Sequence, residues 1–269
     1  MQLTTQQVKQ FNRDGYAIHN GFFNALEVAA MQAELKRLVD DGKLRNVATD
    51  RDGTTHSKTV FNLQICPLSP HSDLFRALPF SGKVRETVRQ LIGEEFVFQL
   101  DQIFLKPAQS GGGTNWHQDN AYFDIPDPRQ GTGMWVALHD ATVANGTMHI
   151  VPGSFRREYK HDRDPGSDHH ITCEVDEDID DILAVEMEAG GVLFFNYGTA
   201  HCTRGNTTNA DRAGLALHFL KAEHRHLIEG PDNHHPYLCG SHYSGGRKEY
   251  GENMDGQWEQ MVANMATGH

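Results

Sequence analysis

Hydrophobic positions in the first 94 residues recur mostly at the spacing of a helix. Five apolar side chains fall near one helical face of residues 25–41, and Asn24 in front of them is a good N-cap residue. Similar patterns predict two further helices and a strand: residues 6–13 after a Thr5 cap, the stretch from the cap Ser81 to about residue 91, and a strand at residues 16–19. We therefore expect residues 1–94 to form a mostly helical layer.

From residue 95 onward the hydrophobic pattern changes to that of β-strands. Short runs rich in Val, Ile, Leu and Phe are separated by turn-forming pairs such as Asn145-Gly146 and Gly190-Gly191. The predicted strands are residues 96–105, 133–139, 147–151, 183–187, 192–196 and 215–221. Because helices do not alternate with these strands, parallel βαβ units are not indicated. The pattern favours an antiparallel barrel or jelly roll.

These patterns predict one domain over residues 1–269, mainly β with flanking helices. Its parts are the helical layer at residues 1–94, a jelly-roll core at 95–221 and a C-terminal extension at 222–269. Long polar loops are predicted at residues 40–57, 124–132 and 155–170, and loops of that kind are often functional. A chain of 269 residues with 38% hydrophobic content is long enough to bury a sizeable core.

The charge balance limits the classes of partner. The chain has 24 basic and 36 acidic residues, a net charge of −12, whereas a surface that binds nucleic-acid phosphates carries the opposite sign. It contains no stretch of about 18 apolar residues and no apolar leader, so we expect neither a membrane span nor secretion. Four cysteines without a CxxC pair indicate free thiols and a cytoplasmic protein. The expected partner is a small-molecule substrate, with a homodimer as the candidate oligomer.

The run TNWHQD at residues 114–119 places a histidine and a carboxylate two positions apart. If His117 and Asp119 lie on an extended segment, their side chains point to one face and Gln118 points to the other. An imidazole and a carboxylate on one face are two neighbouring ligands of a metal ion. The HxD pattern is common by itself, so the prediction needs a third ligand.

A second run, TAHCTR at residues 199–204, follows the predicted strand at residues 192–196. If residues 206–209 form a hairpin turn, His201 and Arg212 lie roughly opposite each other on paired strands and share a face. We therefore expect His201 to be the third metal ligand, with the Arg212 guanidinium in the same cavity. Two histidines and one carboxylate make the facial triad of non-haem Fe(II) oxygenases.

With these motifs, the chain resembles the phytanoyl-CoA dioxygenase family of Fe(II)- and 2-oxoglutarate-dependent oxygenases. The resemblance extends from about residue 104 to residue 221, and more loosely from residue 12. The segments that carry it are LKP at 105–107, GTNWHQD at 113–119, MWVAL at 134–138, NGTM at 145–148, VPGS at 151–154, and His201 to Arg212. Members of this family fold as a double-stranded β-helix, a cupin-like jelly roll.

The resemblance implies that His117, Asp119 and His201 hold Fe(II) and carry the catalysis. It implies that Arg212 pairs with the distal carboxylate of the cosubstrate 2-oxoglutarate, and O2 is the other cosubstrate. A planar guanidinium matches a carboxylate through two parallel hydrogen bonds, which lysine cannot make. Further cosubstrate contacts are expected from Thr203, Trp135 and Gln102.

Several other residues are candidates to contact cosubstrate or substrate because of their positions in the sequence. Gln99 and Gln102 face opposite ways on a regular strand, and we favour Gln102 because it is nearer the iron motif; a solvated role on the outer face stays open. Asn120 and Tyr122 directly follow the iron motif, so we expect them to contact substrate. Candidates to neutralise an anionic substrate are Lys106, Arg156, Arg157, Arg204, His169 and His170.

The implied reaction is a hydroxylation coupled to conversion of 2-oxoglutarate to succinate and CO2. Halogenating members of the family replace the carboxylate of HxD with a small residue, whereas Asp119 is present here. Long polar loops favour a small polar metabolite. Residues 120–123 and 145–148 are similar to the branch that includes aminoalkylphosphonate hydroxylases, so 2-aminoethylphosphonate is the specific hypothesis.

Three alternatives stay open at this point. The substrate is another small zwitterion such as ectoine, or it is an acyl-CoA thioester. In the third alternative, the protein is a metal-binding jelly roll without oxygenase turnover. Arg212, eleven positions after His201, favours an oxygenase, because a bare metal-binding barrel has no use for it.

Overall fold

Both long N-terminal helices begin at caps that their own sequences supply. Asn24 accepts a hydrogen bond from the N–H of Glu27, whose carboxylate accepts one from the N–H of Asn24. The first helix is capped in the same reciprocal way by Thr4 and Gln7, so its cap is Thr4 and not Thr5. These paired bonds satisfy backbone donors that a helix start leaves open.

The computed structural model describes residues 2–228 and 235–267. Within these ranges the helices are α1 (Thr5–Asp14), α2 (Ala25–Asp40), α3 (Asp73–Ala77), α4 (Gly82–Ile92), α5 (Asn120–Phe123), α6 (Arg247–Tyr250) and α7 (Gln257–Thr267). Short 3-10 helices lie at Leu78–Phe80, Pro128–Gln130, Ser154–Arg156 and Ala222–Leu227. Among the helices of these ranges, none combines the length and the apolar character needed to cross a bilayer.

The strands of the described chain form two antiparallel sheets and a separate hairpin. The strands are β1 (Tyr16–His19), β2 (Arg45–Asn46), β3 (Leu63–Ile65), β4 (Phe96–Lys106), β5 (Thr114–His117), β6 (Gly131–Ala137), β7 (Met148–Ile150), β8 (His161–Arg163), β9 (Ile171–Cys173), β10 (Leu183–Ala184), β11 (Val192–Asn196), β12 (His201–Thr203) and β13 (Arg212–Lys221). The larger sheet has the order β1-β11-β6-β13-β4-β3-β2, the smaller one β10-β7-β12-β5, and β8 pairs with β9. This is the expected mainly β jelly roll.

Alternation along the strands of the larger sheet divides its side chains between two cores. On β6, Met134 and Val136 belong to the core that packs against the helices. Trp135 and Ala137 belong to the core on the opposite face, which includes residues of the smaller sheet. Strands β11 and β13 alternate in the same way, so one face of the larger sheet carries the helices and the other is left for the inter-sheet space.

The N- and C-terminal segments are more closely packed into the fold than the sequence indicates. The N-terminal 94 residues supply β1, β2 and β3 to the larger sheet as well as helices. At the other end, the Trp258 indole of α7 donates a hydrogen bond to the Glu27 carboxylate of α2, at 3.3 Å, and packs in the helix-side core. The expected loop at residues 155–170 contains β8.

The cap of α2 gives a stability prediction. Replacing Asn24 by Ala removes its side-chain acceptor and is expected to lower the free energy of unfolding by about 1 kcal/mol. Asn20→Ala, at an exposed position just before the helix, is the matched control and should change it by less than about 0.5 kcal/mol. Urea denaturation followed by circular dichroism measures both. Equal stabilities of the two variants would contradict a stabilising cap.

Candidate active site

The three expected metal ligands lie together where β5 ends and β12 begins. The two strands pair so that His117 is opposite His201. Asp119 Oδ1 lies 3.7 Å from His117 Nε2 and 3.6 Å from His201 Nε2. One ligand atom from each of the three buried residues lies within 4.8 Å of the others. Two imidazole nitrogens and one carboxylate oxygen at this spacing fit a single transition-metal ion.

Asp119 reaches the cluster through a turn. Strand β5 ends at His117, and Asp119, the residue just before α5, has φ −59° and ψ −30°, which are helical values. The expectation of an extended segment from His117 to Asp119 is therefore wrong, although the two side chains converge. The Gln118 side chain anchors the turn by donating to the carbonyl of Gly198 at 2.5 Å.

Hydrogen bonds to the backbone orient both imidazoles. His117 Nδ1 lies 2.8 Å from the carbonyl of Asn115, and His201 Nδ1 lies 3.0 Å from the carbonyl of Thr199. A carbonyl accepts only, so each Nδ1 carries the proton and each Nε2 presents a lone pair to the cluster. Burial lowers the pKa of both imidazoles to about 4, so both are neutral near pH 7.

The cluster opens onto a cavity of about 210 Å³ between the two sheets. The larger sheet lines it with Phe104, Trp135 and Ala216, and the smaller sheet contributes Met148 and Cys202. Most of the wall is therefore apolar, with a few converging polar groups. That combination is typical of sites that bind small molecules.

Arg212 is the least satisfied cation of this cavity. Its side chain is 1% exposed, its Nε donates to the carbonyl of Asn145 at 3.3 Å, and one terminal nitrogen donates to the carbonyl of Gly146. The other terminal nitrogen has no partner within the described residues. Burial lowers the pKa of Arg212 to about 10. A buried guanidinium without a carboxylate partner is costly, so the cavity favours an anionic ligand.

Arg212 and His201 reach the cavity from different sheets. Strand β12 pairs with β5 and β7, whereas β13 pairs with β4 and β6. The expected hairpin pairing between His201 and Arg212 is therefore wrong. The two residues share a cavity because their sheets face each other across it.

Lys106 adds a second buried basic group beside Arg212. It lies directly opposite Arg212 in the pairing of β4 with β13, and its Nζ donates to the carbonyl of Gly112. Burial, and then the nearby guanidinium, lower the pKa of Lys106 well below its usual value. An anion between the two groups would reverse that effect, because an opposite charge favours the protonated amine.

The other three expected cosubstrate residues also line the cavity. The Thr203 hydroxyl accepts a hydrogen bond from the N–H of Thr114 at 3.1 Å, so its own proton is available to an acceptor in the cavity. The ring of Trp135 lies 5.6 Å from the Arg212 guanidinium. Gln102, and not Gln99, is on the cavity wall.

Of the two residues expected to contact substrate, only Tyr122 lines the cavity. Tyr122 lines the cavity mouth, and its hydroxyl accepts a hydrogen bond from the N–H of Ile171 at 3.0 Å. The Asn120 side chain instead bonds both backbone groups of Ile125, at 3.0 and 3.2 Å, and is not among the cavity-lining residues. The Asn120 side chain thus stabilises the turn between residues 120 and 125, and this structure gives no support for its contact with substrate.

The expected anion-binding residues also divide into two groups. His169 and His170, in the connection between β8 and β9, line the cavity with Lys106. The connection is held from outside by an ion pair of Asp168 with Arg45 at 2.5 Å. The other three candidates bond elsewhere on the surface: Arg156 to the carbonyl of Arg13, Arg157 to Asp180 and Arg204 to Glu177.

His218, which the sequence patterns did not indicate as a site residue, is buried in the cavity wall. Its Nδ1 lies 3.6 Å from Asp119 Oδ2. It follows Arg212 by six positions on β13, so the strand's alternation brings both to the same face. If the predicted strand had begun at residue 212 instead of 215, alternation would have placed His218 and Arg212 on the same face.

Sequence comparison identifies a family and several relatives. The phytanoyl-CoA dioxygenase (PhyH) family profile matches residues 11–214, a range that includes the ligand cluster and Arg212. Ectoine dioxygenase from Bordetella parapertussis is 25% identical over 240 residues, which cover 82% of this chain and 76% of that protein. Phytanoyl-CoA dioxygenase from Arabidopsis thaliana is 27% identical over 208 residues, which cover 76% of this chain and 69% of that protein.

Solved structures share the fold. EctD from S. alaskensis with 2-oxoglutarate and 5-hydroxyectoine is similar with a TM-score of 0.65 at 24% identity, over 90% of this chain and 85% of that chain. The 2-oxoglutarate-dependent carbocyclase SnoK from nogalamycin biosynthesis is similar with a TM-score of 0.69 at 20% identity, over 82% and 85% of the two chains. Both likenesses establish the jelly-roll architecture.

The cluster predicts the behaviour of ligand variants. His117→Ala, Asp119→Ala and His201→Ala are each expected to lose most Fe(II) binding, because two ligands cannot hold the ion in place. Iron content after anaerobic loading and desalting measures this loss. His149→Ala is the matched control, since His149 also bonds a backbone carbonyl through Nδ1 but lies outside the cavity wall. Wild-type iron content in any one of the three variants contradicts the assignment.

Proposed function

The chain belongs to the phytanoyl-CoA dioxygenase family and is an iron- and 2-oxoglutarate-dependent oxygenase, and we propose that it hydroxylates a C–H bond of a small polar metabolite. The observation that carries the proposal is the shared cavity. The donor atoms of His117, Asp119 and His201 converge at one part of its wall. The Arg212 guanidinium, one of whose terminal nitrogens has no partner among the described residues, faces the same space.

In this proposal His117 Nε2, Asp119 Oδ1 and His201 Nε2 hold Fe(II). Three protein ligands leave coordination positions for 2-oxoglutarate and O2. Bound iron supplies the activation of O2, coupled to conversion of 2-oxoglutarate to succinate and CO2. The chain's own contribution is to orient the imidazoles through the carbonyls of Asn115 and Thr199, and to exclude water with apolar walls.

Arg212 is proposed to receive the distal carboxylate of 2-oxoglutarate. One terminal nitrogen of Arg212 has no partner among the described residues and needs an acceptor, and the Thr203 hydroxyl and the Lys106 amine are further donors that line the cavity. Trp135 and Gln102 flank the same space and limit how the cosubstrate turns. A charge-assisted pair in an apolar cavity gives both affinity and orientation.

The substrate is proposed to enter past Tyr122 and the histidine pair. His170 lines the cavity, and its Nε2 lies 3.0 Å from the amide nitrogen of Gln64, so Nε2 accepts and the ring proton belongs on Nδ1. His169 lies beside it, with ring centres 4.2 Å apart. A donor on the cavity wall favours a substrate with a small acidic group, which supports an aminoalkylphosphonate such as 2-aminoethylphosphonate. The relationship to ectoine dioxygenase favours a zwitterion of similar size as the second candidate.

Hydroxylation is favoured over halogenation by Asp119. A halide at the iron needs the coordination position that this carboxylate fills. A jelly roll that binds metal without turnover leaves Arg212 and Lys106 unexplained, because two buried basic side chains for which the described residues provide no acidic partner have no role in metal binding alone.

Arg212→Lys tests the cosubstrate site. The ammonium cannot make the paired hydrogen bonds, so 2-oxoglutarate binding should weaken by roughly 2–5 kcal/mol while iron content stays near wild type. The dependence of succinate formation on 2-oxoglutarate concentration measures the change. Arg204→Lys, at a half-exposed arginine paired with Glu177, is the control and should behave as wild type. An unchanged 2-oxoglutarate requirement in Arg212→Lys would assign the cosubstrate to another cation, with Lys106 the first to examine.

The reaction is tested with candidate substrates under labelled O2. We expect succinate release with 2-aminoethylphosphonate or its N-methylated forms, and one labelled oxygen each in product and succinate. Turnover of ectoine or an acyl-CoA instead would replace the substrate hypothesis and retain the hydroxylase. A chlorinated product, or an oxidised product without succinate, would contradict the proposed reaction.

A further inference from the structure

We propose that His218 is a positioning residue for the metal site, whose Nδ1–H donates to Oδ2 of Asp119 and keeps that carboxylate bound through Oδ1 alone. The proposal rests on the proposed function, because it takes Asp119 as a ligand of the iron. It gives a role to a buried histidine that belongs neither to the ligand cluster nor to the expected cosubstrate contacts.

Two buried polar atoms that face each other carry the inference. His218 Nδ1 and Asp119 Oδ2 are 3.6 Å apart, and within residues 2–228 and 235–267 neither has a hydrogen-bond partner. The other oxygen of Asp119 lies toward His117 and His201, as a metal-facing atom should. Buried polar atoms without partners are rare, so two of them at this distance point to a pair that closes by a small movement.

The surroundings of His218 hold its ring in this orientation. Phe123 and Tyr197 pack against it, with ring centres at 5.4 and 5.9 Å, and the amide nitrogen of Gln102 lies 3.5 Å from Nε2. Because the amide nitrogen is a donor, Nε2 is its acceptor and the ring proton belongs on Nδ1. An unprotonated Nδ1 would also set two lone pairs against each other at a buried position.

The contact affects how many coordination positions stay open. A carboxylate that binds through both oxygens takes one more position than a carboxylate that binds through one, and 2-oxoglutarate and O2 need the remaining positions. A donor on Oδ2 makes that oxygen a poorer metal ligand. It also satisfies a buried acceptor that is otherwise costly to leave unpaired.

Two substitutions separate the hydrogen bond from the shape of the side chain. His218→Leu fills similar space without a donor, whereas His218→Asn places an amide N–H close to the position of Nδ1. Tyr197→Phe is the matched control, because the Tyr197 ring packs beside the same ring and its buried hydroxyl has no partner among the described residues. Circular dichroism of the metal-free proteins monitors folding. If His218→Leu does not fold, His218→Gln replaces it, since its amide reaches the position of Nε2 instead.

Co(II) binding is the measurement, by calorimetry and by the visible absorption of the bound ion, which reports its coordination without turnover. We expect His218→Leu to bind Co(II) about 10- to 100-fold more weakly with an altered spectrum, and His218→Asn to recover both properties. Tyr197→Phe should match wild type. Wild-type affinity in His218→Leu, or a deficit that His218→Asn does not reverse, would overturn this proposal alone. Failure of the wild-type protein to bind Co(II) would overturn the metal site itself.

Discussion

A buried guanidinium for which the described residues provide no acidic partner is the constraint on which the cavity depends. The described protein offers Arg212 only the carbonyls of Asn145 and Gly146, and the desolvation of such a cation is expensive. The local structure is arranged around it. A side chain at Gly214 would bring its Cβ within 2.5 Å of the Trp135 indole nitrogen, so this glycine lets the tryptophan lie beside the guanidinium.

The two sheets divide the chemistry between them. The smaller sheet brings His117 and His201 side by side, and the turn after β5 adds Asp119. The larger sheet carries the basic pair, Arg212 and Lys106, on adjacent strands. A one-residue slip of β13 would turn its cavity-facing side chains toward the helices, so the register of that strand is as important to the site as the ligands themselves.

The sequence predicted the chemistry better than the geometry. Spacing and resemblance identified the His117, Asp119 and His201 cluster and the cavity position of Arg212, because each rests on residue type and order. The turn that brings Asp119 to the cavity and the strand pairing of His201 were not predicted correctly. Strands β5 and β12 are too short for hydrophobic alternation to define them. His218 was not predicted for a related reason, because only the register of a strand decides whether a polar residue in it faces the cavity.

Asn120 illustrates a second limit of sequence reasoning. Its position after the iron motif placed it near the substrate, but an asparagine side chain competes for backbone groups, and here it bonds Ile125. Which of several neighbouring polar residues faces a cavity is decided by turn conformation, and a single sequence does not specify it.

The central claim is that the ligand cluster and Arg212 form one site for iron and 2-oxoglutarate. The most direct test is the visible spectrum of the Fe(II)-loaded protein under anaerobic conditions as 2-oxoglutarate is added. We predict a weak metal-to-ligand charge-transfer band that saturates with 2-oxoglutarate and does not appear with succinate, which lacks the keto group. Iron-loaded protein that develops no band at any 2-oxoglutarate concentration would contradict the claim.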